Sequence, residues 1–135
     1  MAARVAGGCQ IKHLLAVLER QGWTLPSVGF ITEQTVAGAS CTGTHGSGRH
    51  SLSHYVTSIR VAKYDRHSEK AVVEEIESGD ELRAARCSLG CVGVILSVTI
   101  ECRPTYCVEE HFQEYDKLVD VLHAEKDYPL QQFYL

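Results

Sequence analysis

The sequence lacks several features that would place it in a functional class at once. No run of apolar residues is long enough to cross a bilayer, and the first ten residues, MAARVAGGCQ, hold no apolar stretch of signal-peptide length. No block of like charge or low-complexity tract interrupts the 135 residues, and the formal net charge is -4. A general nucleic-acid binder usually has a basic excess. We therefore predict a soluble cytoplasmic protein with no membrane segment and no nucleic-acid partner.

Metal-binding motifs are also incomplete. The six cysteines form no C-x-x-C pair, and although Cys87 and Cys91 are four residues apart, no second pair at ligand spacing follows. Small apolar packing residues are the favoured interpretation of these cysteines. His50 and His54 have the same spacing, but neither an H-E-x-x-H pattern nor a nearby carboxylate set accompanies them. The sequence therefore predicts no metal site.

The sequence that is present alternates between helical and extended patterns. Helices are predicted at 10–22, 80–90 and 114–127, and strands at 55–65, 70–78 and 92–104. The β-branched strand 92–104 is expected at the centre of the sheet. The short connection between the first two strands predicts a hairpin and hence antiparallel pairing. In the last helix, Leu118, Val121 and Leu122 are expected to face inward. This order predicts an α+β fold, an antiparallel sheet flanked by helices.

A glycine-rich stretch, QTVAGASCTGTHGSGR, precedes the first predicted strand. Gly43, Gly46 and Gly48 would let the backbone approach a bulky ligand, and successive N–H groups would form an anion site. Thr42 and Thr44 add hydroxyl donors that suit a pyrophosphate or a ribityl chain. A plain surface loop is an equally open interpretation of the same residues.

Two familiar phosphate motifs do not match this stretch. A P-loop needs Lys and Ser or Thr after its last glycine, where the sequence has Arg49 and His50. A Rossmann fingerprint reads G-x-G-x-x-G and opens a helix, whereas this stretch reads G-x-x-G-x-G and leads towards a strand. His45 has no Ser, Cys or carboxylate partner in the local sequence, so a hydrogen-bonding loop residue is favoured over a general base.

Two ordered runs resemble one known family. LPSVGFITEQTVAGASCTGTHGSG and LRAARCSLGCVGVILSVTIECRPTY are similar to the FAD-binding (PCMH-type) domain of the vanillyl-alcohol-oxidase flavoprotein superfamily. Within that superfamily they look most like the sugar-1,4-lactone oxidases, acting on gulonolactone or arabinono-lactone, and alditol oxidase. The opening, ARVAGGCQIKHLLAVLERQGWTLP, is similar to the segment that precedes the glycine-rich stretch in that family.

The resemblance implies FAD as cofactor and assigns residues to it. The residues that would line its pyrophosphate, ribityl chain and flavin are Thr35, Gly38, Thr42, Gly43, Thr44, His45 and Gly46. Val94 and Ile95 would offer backbone groups on the other side of FAD. Phe30 stands where some members carry a small polar FAD contact, and a phenylalanine cannot make that hydrogen bond. No catalytic residue is assigned.

The resemblance also implies a domain organisation and an activity. Residues 1–106 would be a partial FAD-binding domain, its second subdomain, without the family's upstream phosphate loop, and 107–135 the start of the substrate domain. The chain would then be an internal fragment of an oxidoreductase that oxidises a hydroxyl of a small sugar-like substrate, a lactone or an alditol. The alternative is a non-catalytic nucleotide-binding or partner-binding module, or an inactive remnant. Truncation would expose apolar surface and favour self-association.

Overall fold

The computed structural model describes residues 1–47, 50–132 and 134; Gly48 and Arg49 lie outside the described residues. The chain divides into two units, Met1–Thr105 and Tyr106–Leu135. The first unit contains β1 (Ala2–Ala6), α1 (Ile11–Glu19), β2 (Trp23–Thr24), α2 (Val36–Cys41), β3 (Val56–Asp65), β4 (Lys70–Ile76), α3 (Gly79–Arg86), β5 (Val94–Glu101) and β6 (Arg103–Pro104). The second contains α4 (Leu118–His123). Two 3-10 turns, Leu52–Tyr55 and Ala124–Lys126, complete the elements.

A four-stranded antiparallel sheet in the order β1-β5-β3-β4 forms the frame of the first unit. The β-branched strand β5 is central, as predicted, and β3 and β4 form the predicted hairpin. Ile59 on β3 is paired with Ile76 on β4 and with Val98 on β5, so apolar residues of three strands meet on one face. The predicted α+β class with an antiparallel sheet and helices is confirmed.

One core unites this sheet face with three helices. The buried apolar residues of the helices are Ile11, Leu14, Leu18, Val36, Ala39, Leu82 and Ala85. In α1 they recur at helical spacing, which is the pattern that predicted the helix. The helix ends at Glu19, and Gly22 follows with a positive φ of 74°, a conformation that glycine adopts without steric cost.

Two of the longer elements of the first unit were not predicted. Residues Ala2–Ala6 form an edge strand that pairs with β5 from Ala2 opposite Glu101 to Ala6 opposite Ser97. The first half of the glycine-rich stretch is α2, a helix, where a loop was expected. Small residues made that segment resemble a loop, but tertiary packing buries Val36 and Ala39 completely and overrides the low propensity of Gly38.

The prediction for the second unit is partly wrong. A helix is present, but it is shorter than predicted, and Leu118 and Leu122 are 47% and 54% exposed. No residue of α4 is buried. A unit of 30 residues is too short to build its own core, and the described residues 106–132 and 134 leave the apolar side of this helix unburied. The role of the second unit as the start of a substrate domain stays a prediction.

The part of the chain that the structure describes contains no helix with both the length and the apolar character needed to cross a membrane.

A polar network crosses the sheet at Glu75 on β4. Its carboxylate accepts the Ser58 hydroxyl at 2.7 Å and pairs with Arg4, which also donates to Thr99 at 3.3 Å. The Ser58 hydrogen bond and then the Arg4 charge lower the pKa of Glu75 from its ordinary value of 4.5. A carboxylate with a lowered pKa stabilises the fold above its unfolded-state pKa, and this contribution is lost as the pH falls through the folded pKa.

We expect Glu75→Gln to flatten the acid side of the stability profile. Wild-type stability should fall as the pH drops below 4.5, and the variant should lose less because glutamine does not titrate. Urea unfolding at about pH 7 and about pH 3.5 measures both slopes. Glu101→Gln, at the exposed end of β5, is the matched control and should follow the wild type. Parallel profiles for wild type and Glu75→Gln would contradict the assignment.

Candidate functional site

The N–H groups in the first turn of α2 donate to acceptors within the chain. Thr35 caps the helix, and its hydroxyl oxygen accepts the Gly38 N–H at 3.1 Å. The Val36 N–H donates to the Cys9 carbonyl at 2.8 Å, and the Ala37 N–H donates to the Gly7 carbonyl at 3.0 Å. The first-turn N–H groups, which would otherwise lack partners, are therefore satisfied. Thr35 works here as a helix cap.

The turn after α2 is also held by internal bonds. The Thr42 hydroxyl donates to the Gly38 carbonyl at 2.9 Å, and the Thr44 hydroxyl donates to the side-chain oxygen of Gln34 at 3.3 Å. The N–H groups of Gly43 and Thr44 donate to the carbonyls of residues 40 and 39, and that of residue 46 to a serine hydroxyl. In this structure these donors are engaged within the chain. Their place beside FAD stays a prediction.

A groove of about 360 Å³ opens between the end of α2 and the start of β5. Its lining residues are Ala37, Gly38, Cys41, Thr42, Leu89, Gly90, Gly93 and Ile95. Three of the eight are glycines, so backbone forms much of the wall. Gly93 has φ 125°, and a Cβ there would lie 2.5 Å from the Ala62 carbonyl oxygen, so no other residue fits.

A second depression lies beside the turn that follows the groove. It is lined by Val28, Gly29, Phe30, His45, Gly46 and Ser47. His45 Nδ1 is 2.8 Å from the Gly46 carbonyl oxygen. A carbonyl only accepts, so Nδ1 is the donor in this hydrogen bond. Phe30 is fully exposed at the rim.

The predicted site residues thus separate into three groups. Gly38, Thr42 and Ile95 line the groove, and His45 and Gly46 line the second depression. Thr35, Gly43 and Thr44 line neither and shape the backbone between them. Val94 also lies outside both linings, with 68% of its side chain exposed.

Sequence reasoning missed three groove residues that belong to the second family-like run. Leu89, Gly90 and Gly93 fall within SLGCVG, a part of that run in which no site residue was predicted. The two glycines within four residues before a strand could have predicted these residues, since glycine there indicates close approach of a ligand or another backbone.

Gly7, also missed, joins the two walls of the groove. Its N–H donates to the Leu96 carbonyl of β5 at 2.9 Å, and its carbonyl accepts the first-turn N–H of Ala37 in α2. A Cβ at Gly7 would lie 2.4 Å from the Ile95 carbonyl oxygen. The position of α2 against β5 therefore requires glycine at this point.

The two candidate metal-binding histidines form a different arrangement. The rings of His50 and His54 are stacked with centroids 4.1 Å apart and an interplanar angle of 11°. Among residues 1–47, 50–132 and 134, no group of three His, Cys, Asp or Glu side chains is placed to hold a metal ion.

We expect Gly7→Ala to destabilise the first unit and Gly8→Ala to leave it nearly unchanged. The first adds a methyl against a backbone oxygen that cannot move without shifting β5, and overpacking of this kind costs about 1–3 kcal/mol. The second adds a methyl where nothing lies within 4 Å. Urea unfolding of the two adjacent variants measures the difference. Equal stabilities would show that α2 and β5 are not joined here.

Known proteins are similar to this chain in sequence and in fold. A model of the FAD binding domain matches residues 1–66. A long-chain alcohol oxidase from an uncultured marine euryarchaeote is 57% identical over 135 residues, which is 100% of this chain and 28% of that protein. A putative D-arabinono-1,4-lactone oxidase from Neurospora crassa is 38% identical over 104 residues, covering 76% of this chain and 18% of that protein. Among solved structures, a solvent-stable cholesterol oxidase superposes with a TM-score of 0.70 at 18% identity, over 76% of this chain and 22% of that one.

The chain spans between 18% and 28% of the length of these two curated relatives. The predicted resemblance and the predicted cofactor are both confirmed by these matches, and the superposition confirms the fold. The chain therefore contains an FAD-binding domain, matched over residues 1–66, and over its whole length it is similar to a named oxidase.

Proposed function

We propose that this chain forms one wall of the FAD site in an oxidoreductase that oxidises a hydroxyl-bearing carbon. The observation that carries the proposal is the glycine-lined groove between α2 and β5. Both family-like runs contribute to it: Gly38 and Thr42 come from the first, and Gly93 and Ile95 from the second. When bound, FAD would accept a hydride from the substrate carbon, and oxygen or another acceptor would reoxidise it.

The groove fits a large flat ligand better than it fits a phosphate group. Its lining has no charged side chain, and its glycines let the backbone come within contact distance of a ring. The neighbouring N–H and hydroxyl donors are engaged within the chain. We therefore assign this wall to shape recognition of FAD, with the charge of the pyrophosphate compensated by groups other than these donors.

The proposed roles of the site residues follow from their positions. Gly38, Thr42 and Ile95 would contact FAD in the groove. Thr35, Gly43 and Thr44 would hold the backbone around it, and Val94 would act through its backbone at the start of β5. His45 and Gly46 would lie at the second depression, where Nε2 of His45 would face the cofactor or substrate.

For the substrate we propose a sugar-1,4-lactone or an alditol. The named arabinono-lactone relative supports this choice. A long-chain alcohol is the second candidate, because a relative with that name is 57% identical over the whole chain. Both candidates present a CH–OH group to the flavin, so they differ in how the remainder of the substrate is held.

An activity assay on the full-length protein tests this proposal. The purified flavoprotein would be mixed anaerobically with a sugar-1,4-lactone, an alditol or a long-chain primary alcohol, and bleaching of the flavin absorbance followed. We expect reduction by one class and reoxidation on admission of an acceptor. A protein that binds no flavin, or binds it without reduction by any of the three, would favour the non-catalytic binding module instead.

We expect Thr42→Phe to lower the flavin content of the full-length protein by about tenfold or more, because a phenyl ring would occupy the groove. Thr42→Val is the matched control, with the same shape but no hydroxyl. Since the Thr42 hydroxyl already donates to Gly38, Val should retain most of the flavin. Flavin content is read from the absorbance of the purified variants. If Val loses as much flavin as Phe, the hydroxyl binds FAD directly.

A further inference from the structure

Leu89 stands in a backbone conformation that leucine rarely adopts. Its φ is 51°, and that of the next residue, Gly90, is 83°. The Cys91 N–H donates to the Ser88 carbonyl at 2.9 Å, which closes a turn with the two positive φ values of type I′. Asn, Asp or Gly normally occupies the first central position of this turn, because the left-handed conformation crowds a larger side chain.

Two hydrogen bonds to a main-chain carbonyl hold this turn against the end of α2. The Leu89 N–H donates to the Cys41 carbonyl at 3.2 Å, and the Cys87 thiol donates to the same oxygen at 3.5 Å. Neither bond uses the side chain of Leu89, so an asparagine at this position would keep both.

Packing within the described chain does not explain the leucine either. Its side chain is 73% exposed, although it lines the apolar groove beside Gly38, Thr42 and Ile95. Strained backbone conformations cluster at functional sites. At this position the leucine side chain lies at the groove, and no other contact among the described residues accounts for it.

We propose that Leu89 is an FAD-contact residue that covers the cofactor in the groove, so that the bound cofactor buries the side chain and offsets the strain of the turn. This inference rests on the proposed function. It predicts that stability without flavin and affinity for flavin respond in opposite directions to one substitution, which general loosening of the fold would not produce.

The test uses Leu89→Asn in the full-length protein. Asparagine tolerates the left-handed conformation, so the melting temperature of the flavin-free protein should rise by roughly 2 °C. Loss of the apolar contact should raise the dissociation constant for FAD by about tenfold. Leu89→Ala separates the two effects, since it removes the contact and keeps the strain. It should weaken FAD binding to a similar degree without raising the melting temperature.

Glu69→Asn is the matched control. Glu69 has φ 54° in the hairpin between β3 and β4 and lines neither cavity. Its substitution should raise the melting temperature and leave FAD binding unchanged. If both Leu89 variants bind FAD as tightly as wild type while Thr42→Phe loses it, Leu89 is not a contact and the groove assignment stands. If Thr42→Phe also retains FAD, both proposals are overturned.

Discussion

The site depends on the contact of Gly7 with β5. Its N–H donates to Leu96 of β5 and its carbonyl accepts from Ala37 of α2, so a single residue sets the distance between the two walls of the groove. The Ile95 carbonyl oxygen stands where a Cβ would be, which leaves glycine as the only residue that fits. The central antiparallel sheet is therefore continued into the site by backbone hydrogen bonds alone.

Hydrogen bonds within the chain also hold the rest of the site. The amides at the start of α2 and in the turn after it donate to carbonyls or hydroxyls of the chain itself. Such bonds make the wall rigid, because each donor that would otherwise cost free energy when removed from water has a partner. In this structure these donors are therefore already paired within the chain.

Most of the sheet could be predicted from the sequence because its signals are local. The alternation in β3, the β-branched residues of β5 and the turn at Asp65 each depend on a few neighbouring residues. Asp65 accepts the N–H groups of His67 and Ser68. The edge strand β1 and the helix α2 could not be predicted in this way. Their residues have weak propensities, and they form because β5 pairs with one and buries the other from far along the chain.

The sequence by itself determined the resemblance and the cofactor, because two ordered motifs are specific even when neither alone would be. Only the tertiary structure decided what the residues of those motifs do. It brought SLGCVG to face the end of α2, left His45 and Gly46 at a separate depression, and engaged the threonine hydroxyls in bonds within the chain. The physical reason is that a hydroxyl or an amide has one proton to donate. Which acceptor receives it depends on atoms brought near by folding, and the order of residues in the chain does not contain that information.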